Sequence, residues 1–248
     1  MQEIEGRAAL ITGASSGIGR ATAEKLASHG VDVALAARSE NKLARLAADI
    51  QDEYGVETLA VPTDVTEVGE VETMVEETVS TFGHLDIVVN NAGLTWSGDV
   101  EDMPDKHYEN TMGVNVDGMF FTAREAIPHL KESGGNLVFL GSIAGKYPRG
   151  TNPVYAGTKW WTRGFALSLA AQLGSSGVGV TVVNPAEVRT DFNSEEGTAF
   201  QEAFEEGEVS EPEDVAEAIV YAVRQESRNT VAELDLYRRD KLEEMELG

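Results

Sequence analysis

The chain has 248 residues, no cysteine, and 43 acidic against 19 basic side chains, a formal net charge of −24. The length suits one large α/β domain or two small ones. The missing cysteines exclude a disulfide framework, a thiolate nucleophile and a Cys-ligated zinc or iron–sulfur site. So negative a field repels nucleic acid and anionic membranes, and neither is expected as a partner. No run approaches the ~18–20 apolar residues of a membrane span. The opening Met-Gln-Glu-Ile-Glu-Gly-Arg lacks the basic, apolar, small-residue order of a secretory signal. A soluble, cytoplasmic protein is the expectation.

In chain order, residues 8–11 form a short apolar run ending in glycine-rich sequence and read as a strand. Residues 18–29 are helical, with Gly30 as a stop. A second strand at 31–37 precedes a helix at 40–54, and a third strand at 58–61 ends at Pro62. Val68, Val71, Met74, Val75 and Val79 give one apolar face to a helix over 68–82. Strands at 87–89 and 137–140 flank a long helical stretch, 104–131. A helix at 153–173, a strand at 178–183, a helix at 212–224 and a strand at 231–236 complete the chain. The strands are continuous apolar runs that alternate with helices. Both faces of the sheet should therefore be covered, as in a parallel sheet with helices on each side. No linker or repeat of fixed period appears, so one domain is expected. Residues 187–217 hold 12 acids and one basic residue, Arg189, with Phe192, Phe200 and Phe204 spaced through them. That segment reads either as a solvated helical insertion or as a lid over a substrate site.

Directly after the first strand comes Thr12-Gly13-Ala14-Ser15-Ser16-Gly17-Ile18-Gly19, then a helix. Glycines at a strand-to-helix turn let backbone N–H groups and the helix dipole hold a pyrophosphate. The spacing is T-G-x-x-x-G-I-G and resembles the short-chain dehydrogenase/reductase family. Further positions carry the same resemblance: Asp64-Val65, Asn90-Asn91-Ala92-Gly93, Asn115, Ser142, and Tyr155 with Lys159 as Y-x-x-x-K. Pro185-Ala186, with Val188 and Thr190 after it, stands where the family has Pro-Gly. The resemblance spans residues 5 to about 236. It implies a single doubly wound Rossmann domain, a seven-stranded, mostly parallel sheet with helices on both faces.

The resemblance also implies the roles. Asp64 and Val65 meet the adenine, Asn91, Ala92, Gly93, Pro185, Ala186, Val188 and Thr190 also bind the cofactor, and Ala186 lies in the loop beside the nicotinamide. Gly13, Ser15, Ser16, Gly17, Ile18 and Gly19 hold its phosphates. Tyr155 is the proton donor or base, Ser142 holds the carbonyl oxygen, Lys159 binds the ribose, and Asn115 anchors a water in a proton relay. Tyr155 and Lys159 are four residues apart and share a helix face. A nearby ammonium favours the phenolate, so the Tyr155 pKa is expected below the free value of about 10. His29, His84, His107 and His129 lack ligand spacing, and no metal is expected. The six methionines read as core filler.

The second strand ends Leu35-Ala36-Ala37-Arg38-Ser39. NAD-preferring relatives place an Asp there for the ribose hydroxyls; here Ala37 takes that position. Arg38 suits a 2′-phosphate through paired hydrogen bonds, and Ser39 adds a hydroxyl. NADP(H) is expected over NAD(H).

The expected reaction is hydride exchange between NADP(H) and a secondary alcohol or ketone, with a 3-hydroxy acid or related small alcohol as substrate. That substrate follows from the resemblance of residues 141–148 and 229–231 to one subgroup. The alternatives are a 3-oxoacyl carrier-protein reductase and, in another class, a nucleotide-sensing regulator without catalysis. Arg149 or Lys146, basic residues beside the catalytic helix, are candidates for a substrate carboxylate. Met112, Met119, Phe120 and Phe121, with Trp160, Trp161, Phe165 and Leu169, are expected at the interfaces of a homotetramer. The low lysine count, 7 against 12 arginines and 43 acids, points to adaptation to high salt, as in a halophile.

Overall fold

The computed structural model describes residues 1–192 and 198–241. Seven strands form one sheet: β1 (Ala8–Thr12), β2 (Asp32–Ala37), β3 (Thr58–Pro62), β4 (Ile87–Asn90), β5 (Asn136–Leu140), β6 (Gly179–Pro185) and β7 (Glu233–Leu236). Their order across the sheet is β3-β2-β1-β4-β5-β6-β7. Every neighbouring pair is parallel, with register such as Leu10 opposite Ala34 and Val88 opposite Leu137. Parallel neighbours need crossovers, and helices supply them. The helices are α1 (Gly17–Ala27), α2 (Glu40–Tyr54), α3 (Val68–Phe82), α4 (Asp105–Met112), α5 (Met119–Ser133), α6 (Pro153–Leu173), α7 (Phe200–Ala203) and α8 (Pro212–Val223).

Side chains alternate across a strand, so each strand feeds two cores. Ile11, Leu35, Val89 and Val138 pack with Leu26 of α1, Leu43 and Ile50 of α2, and Ile219 of α8. Leu10, Val88, Leu137 and Phe139 face the other way, onto Met74 of α3, Leu130 of α5 and Leu169 of α6. Each such side chain contributes about 1.5–3 kcal/mol on full burial. With both faces covered, the central strands β1, β4 and β5 are largely apolar runs, as expected of a parallel sheet, whereas the edge strand β7 alternates charged and apolar residues. At α8, Pro212 sits in the first turn and the Glu211 N–H donates to Asp214 Oδ2 at 2.9 Å, closing the helix start.

The helical stretch expected over 104–131 is present as unbroken helix over 105–133, with a π-helical turn at its centre. α4 ends at Met112, a π-helical turn runs Gly113–Gly118, and α5 follows. This turn packs against the β3 exit. A Cβ at Gly118 would come within 2.7 Å of Val65 Cγ2, so the chain presses backbone against Val65. Asn115 lies inside this wide turn, fully buried. Short π-helical turns within helices recur at functional positions.

The order of the sheet reverses between β1 and β4, since β2 and β3 lie on one side of β1 and β4 to β7 on the other. In open α/β sheets, ligands bind beyond the carboxyl ends of the strands at such a reversal.

Candidate active site

The expected site residues collect at that end of the sheet. Gly13 to Gly19 follow β1, Arg38 and Ser39 follow β2, Asp64 and Val65 follow β3, and Asn91, Ala92 and Gly93 follow β4. Ser142 follows β5, Pro185 ends β6, and Ala186, Val188 and Thr190 continue from it. Tyr155 and Lys159 stand near the start of α6.

The loop after β1 is bolted to the loop after β4. Thr12 Oγ1 accepts the N–H groups of Asn91 and Ala92 at 3.0 and 3.1 Å. Asn91 Nδ2 donates to the carbonyl of Thr12 at 2.8 Å and to that of Gly13 at 3.3 Å. The Asn91 amide thus shapes the glycine loop. Thr12 is its counterpart; its role depends on a pairing 79 residues away in sequence. Glycine is required where these loops meet. A Cβ at Gly19 would sit 2.4 Å from Gly13 O, and one at Gly13 would sit 2.8 Å from Asn91 Nδ2. Ser16 precedes α1 in extended conformation and makes no side-chain cap bond. The first-turn N–H groups of α1 are therefore available to an anion, and the loop fits a dinucleotide pyrophosphate. A cleft of about 640 Å³ opens beside it, lined by Ser15, Ser16, Gly17, Lys42, Arg45 and Thr190 among others. Thr190 Cγ2 would lie 3.1 Å from a Cβ at Gly17, so the β6 exit closes over the cradle.

At the β3 exit, Asp64 Oδ1 accepts from Thr66 N–H and Oγ1 at 3.0 and 2.7 Å, which fixes the turn. Arg38 and Ser39 are exposed at the mouth between β2 and α2. Ser39 heads α2 without a side-chain cap bond. Among the described residues Arg38 has no hydrogen-bond or ion-pair partner. The departure at Ala186 leaves the main chain regular: its N–H continues the ladder, donating to Leu236 O at 3.0 Å.

Ser142, Tyr155 and Lys159 come together where β5 meets α6. Ser142 opens a short 3-10 turn, Ile143–Gly145, and its Oγ accepts the Ala144 N–H at 3.1 Å. Gly145 brings that turn against α6; a Cβ there would lie 2.6 Å from Lys159 O. This glycine escaped the sequence reading, although its place between Ser142 and Tyr155 was a signal. Lys159 is buried, its Nζ donating to Leu140 O at 2.7 Å and lying 5.6 Å from the centre of the Tyr155 ring. A Cβ at Gly93 would lie 3.5 Å from Asn115 Oδ1 and 3.7 Å from Lys159 Nζ, so these groups gather around one glycine. The Asn115 amide is fully committed: Oδ1 accepts Leu94 N–H at 2.9 Å, and Nδ2 donates to Leu94 O at 2.8 Å and Thr158 Oγ1 at 3.1 Å. Its side chain therefore ties the β4 exit loop to α6.

Burial pushes the Tyr155 phenol up to about 12, while the Ser142 hydroxyl and the Arg149 charge pull it back in part. This corrects the expectation of a depressed value. The Lys159 ammonium lies over the ring face, and the cost of a buried phenolate prevails. Burial pulls Lys159 itself down to about 8.

Four aromatic rings lead away from the site. Tyr155 meets Phe192 at 5.9 Å, Phe192 meets Phe200 at 6.1 Å, and Phe200 meets Phe204 at 6.0 Å between ring centres. Residues 193–197, within the segment 187–217 read as a lid, lie outside the described residues. Lys146 is not free for a substrate: its Nζ pairs with Asp235 Oδ2 at 2.5 Å and Glu233 Oε1 at 2.9 Å, on the neighbouring strand β7. Two expected interface residues are core residues instead, because Met119 and Leu169 face the sheet and are buried. Phe120 and Trp160 remain exposed, and Trp161 stacks on Phe165 at 4.7 Å.

The chain matches the short chain dehydrogenase family over residues 7–200. It belongs to that family. An uncharacterized oxidoreductase of Staphylococcus epidermidis is 34% identical over 237 residues, covering 95% of this chain and 99% of the relative. Among solved structures, an alcohol dehydrogenase from Thermococcus sibiricus complexed with 5-hydroxy-NADP superposes with a TM-score of 0.86 at 28% identity. That match covers 93% of this chain and 96% of the other. A 3-ketoacyl-(acyl-carrier-protein) reductase from Brucella melitensis complexed with NADH gives 0.85 at 32% identity, covering 94% and 97%. This short-chain dehydrogenase is thus an oxidoreductase whose structural neighbours bind nicotinamide nucleotides.

Proposed function

We propose that this protein transfers a hydride between NADP(H) and a secondary alcohol or ketone, with a small 3-hydroxy or 3-oxo acid as substrate. The observation that carries the reading is the convergence of Ser142, Tyr155 and Lys159 at the same end of the sheet as the uncapped N-terminus of α1. When bound, the nicotinamide supplies or accepts the hydride and, oxidised, adds a positive charge. Gly13 to Gly19 hold its phosphates, Lys159 its ribose and Arg38 the 2′-phosphate. In reduction, Tyr155 donates its phenolic proton to the carbonyl oxygen. Ser142 Oγ donates a hydrogen bond to that same oxygen and stabilises its developing charge. Lys159 supplies positive charge under the Tyr155 ring, and Asn115 is a positioning residue through Leu94 and Thr158. A phenol raised to about 12 is protonated at neutral pH, as donation to a carbonyl oxygen requires.

Residues 187–217 act as the substrate lid, carrying Phe192 onto Tyr155 in this reading. The chain forms a homotetramer through the faces of α4, α5 and α6 that expose Tyr108, Phe120 and Trp160. Reduction of a 3-oxoacyl thioester is the second reading, supported by the Brucella relative at 32% identity.

A cofactor-oxidation screen over small ketones, 3-oxo acids and a 3-oxoacyl thioester tests the proposal. NADPH oxidation with a ketone or oxo acid is expected. Tyr155→Phe should lower kcat about 10²- to 10⁴-fold while leaving NADPH affinity within about twofold. No oxidation with any carbonyl would overturn it, and turnover confined to the thioester would favour the second reading.

A further inference from the structure

One cation near Tyr155 has no counter-charge bound to it. Arg149 lies on the loop between Ser142 and Tyr155 and is half-buried. Among the described residues it makes no hydrogen bond and no ion pair. Three other cations of this region are engaged. Lys146 is held by Glu233 and Asp235, Lys159 by the Leu140 carbonyl, and Lys241 by Glu187. In a chain with 43 acids, a half-buried arginine without a carboxylate beside its proton donor needs a reason.

Its surroundings narrow that reason. The Arg149 charge acts on the Tyr155 phenol of α6 and on the Glu187 carboxylate beyond β6. Glu187 engages Lys241 through Oε1, which cancels one negative charge against one positive. Glu187 Oε2 is buried and accepts no hydrogen bond. A partly desolvated cation without a partner is costly, and an anion arriving with the substrate offsets that cost. The planar guanidinium fork matches a carboxylate through two parallel hydrogen bonds.

We infer that Arg149 binds a carboxylate of the substrate and makes this site selective for oxo acids and hydroxy acids over neutral ketones and alcohols of the same size. The inference rests on the carbonyl-reducing reading above and adds the residue that chooses among carbonyl compounds. Arg149 is a specificity-determining residue; the proton still moves from Tyr155.

The test compares a five-carbon 3-oxo acid with its methyl ester, which keeps the carbonyl and removes the charge. The unmodified protein should prefer the acid in kcat/KM. Arg149→Gln should lower the acid-to-ester ratio of kcat/KM about ten- to hundredfold, the range of a hydrogen bond to a charged group. The loss should appear in KM more than in kcat, and Arg149→Lys should restore part of it. Pentanoate, which has no carbonyl to reduce, gives a readout without turnover. Its affinity for the NADPH-loaded protein, measured by calorimetry, should fall by a similar factor in Arg149→Gln. An unchanged ratio with unchanged pentanoate affinity would overturn the assignment while leaving ester reduction, and the proposed reaction, standing. If neither carbonyl compound is reduced, the reaction fails instead, and pentanoate binding alone decides the role of Arg149.

Discussion

Lys159 Nζ donates a 2.7 Å hydrogen bond to the carbonyl of Leu140, the last residue of β5 and two residues before Ser142. The bond ties the base of the Y-x-x-x-K pair to the strand that delivers the serine. It leaves the ammonium buried, with a pKa drawn down to about 8 from 10.5.

The sign of the consequence for stability follows from proton counts. Between pH 8 and 10 the unfolded chain keeps the Lys159 proton while the folded protein releases it. The unfolded state binds more protons, so this residue makes stability rise with pH across that window. Lys159→Met should melt higher than the unmodified protein at pH 7 and lose the rise between pH 8 and 10. Chemical denaturation of cofactor-free protein at intervals of half a pH unit checks this. Equal slopes in the two proteins would contradict it. Above pH 10 the raised Tyr155 acts the other way, since the folded state then holds the extra proton.

Arg38, exposed and unpaired at the end of β2, is expected to choose the cofactor. Arg38→Ala should reduce the ratio of kcat/KM for NADPH over NADH by about ten- to hundredfold, mainly through the KM for NADPH. Steady-state kinetics with both cofactors and one carbonyl substrate measure it. A strong NADH preference in the unmodified protein would refute the assignment.

Glu233 gives an acid-side prediction. The Arg163 guanidinium, at 2.6 and 3.0 Å from its two oxygens, holds its carboxyl down to about 2 against the opposing effect of burial, and Lys146 adds to the pull. A carboxyl depressed on folding stabilises fully above its unfolded pKa, and that contribution disappears as pH falls from about 4.5 through 2. Glu233→Gln should melt lower than the unmodified protein at pH 6, and the gap should shrink steadily below pH 4.5. A gap that stays constant to pH 3 would show that packing, not charge, makes the difference.

The charge of −24 predicts salt-dependent stability. At 0.01 M salt the Debye length is about 30 Å, so charges across the whole subunit repel; at 1 M it is about 3 Å. Relief of that repulsion should raise the melting temperature of cofactor-free protein between low and molar KCl. Light scattering over the same series should report a tetramer at high salt. A flat or falling melting temperature would return the acidity to plain surface solubility, and a monomeric mass in molar KCl would refute the assembly.

The sheet, its helices and the positions around the reaction were legible in the sequence because each rests on local chemistry. Continuous apolar runs mark strands buried on both faces, and the i,i+4 spacing of Tyr155 and Lys159 puts them on one side of a helix. A glycine turn between strand and helix identifies the phosphate cradle. What only the tertiary structure decided concerns partners far apart in sequence. The helical stretch expected over 104–131 widens into a π-helical turn where Gly118 meets Val65, 53 residues earlier. Lys146 is engaged because β7 brings Glu233 and Asp235 beside it, whereas Arg149, the other candidate for a substrate carboxylate, stays without a hydrogen-bond or ion-pair partner among the described residues. Tyr155 is raised rather than lowered because a phenol's ionisation depends on how much water the folded chain removes from it, and no spacing of residues records that quantity.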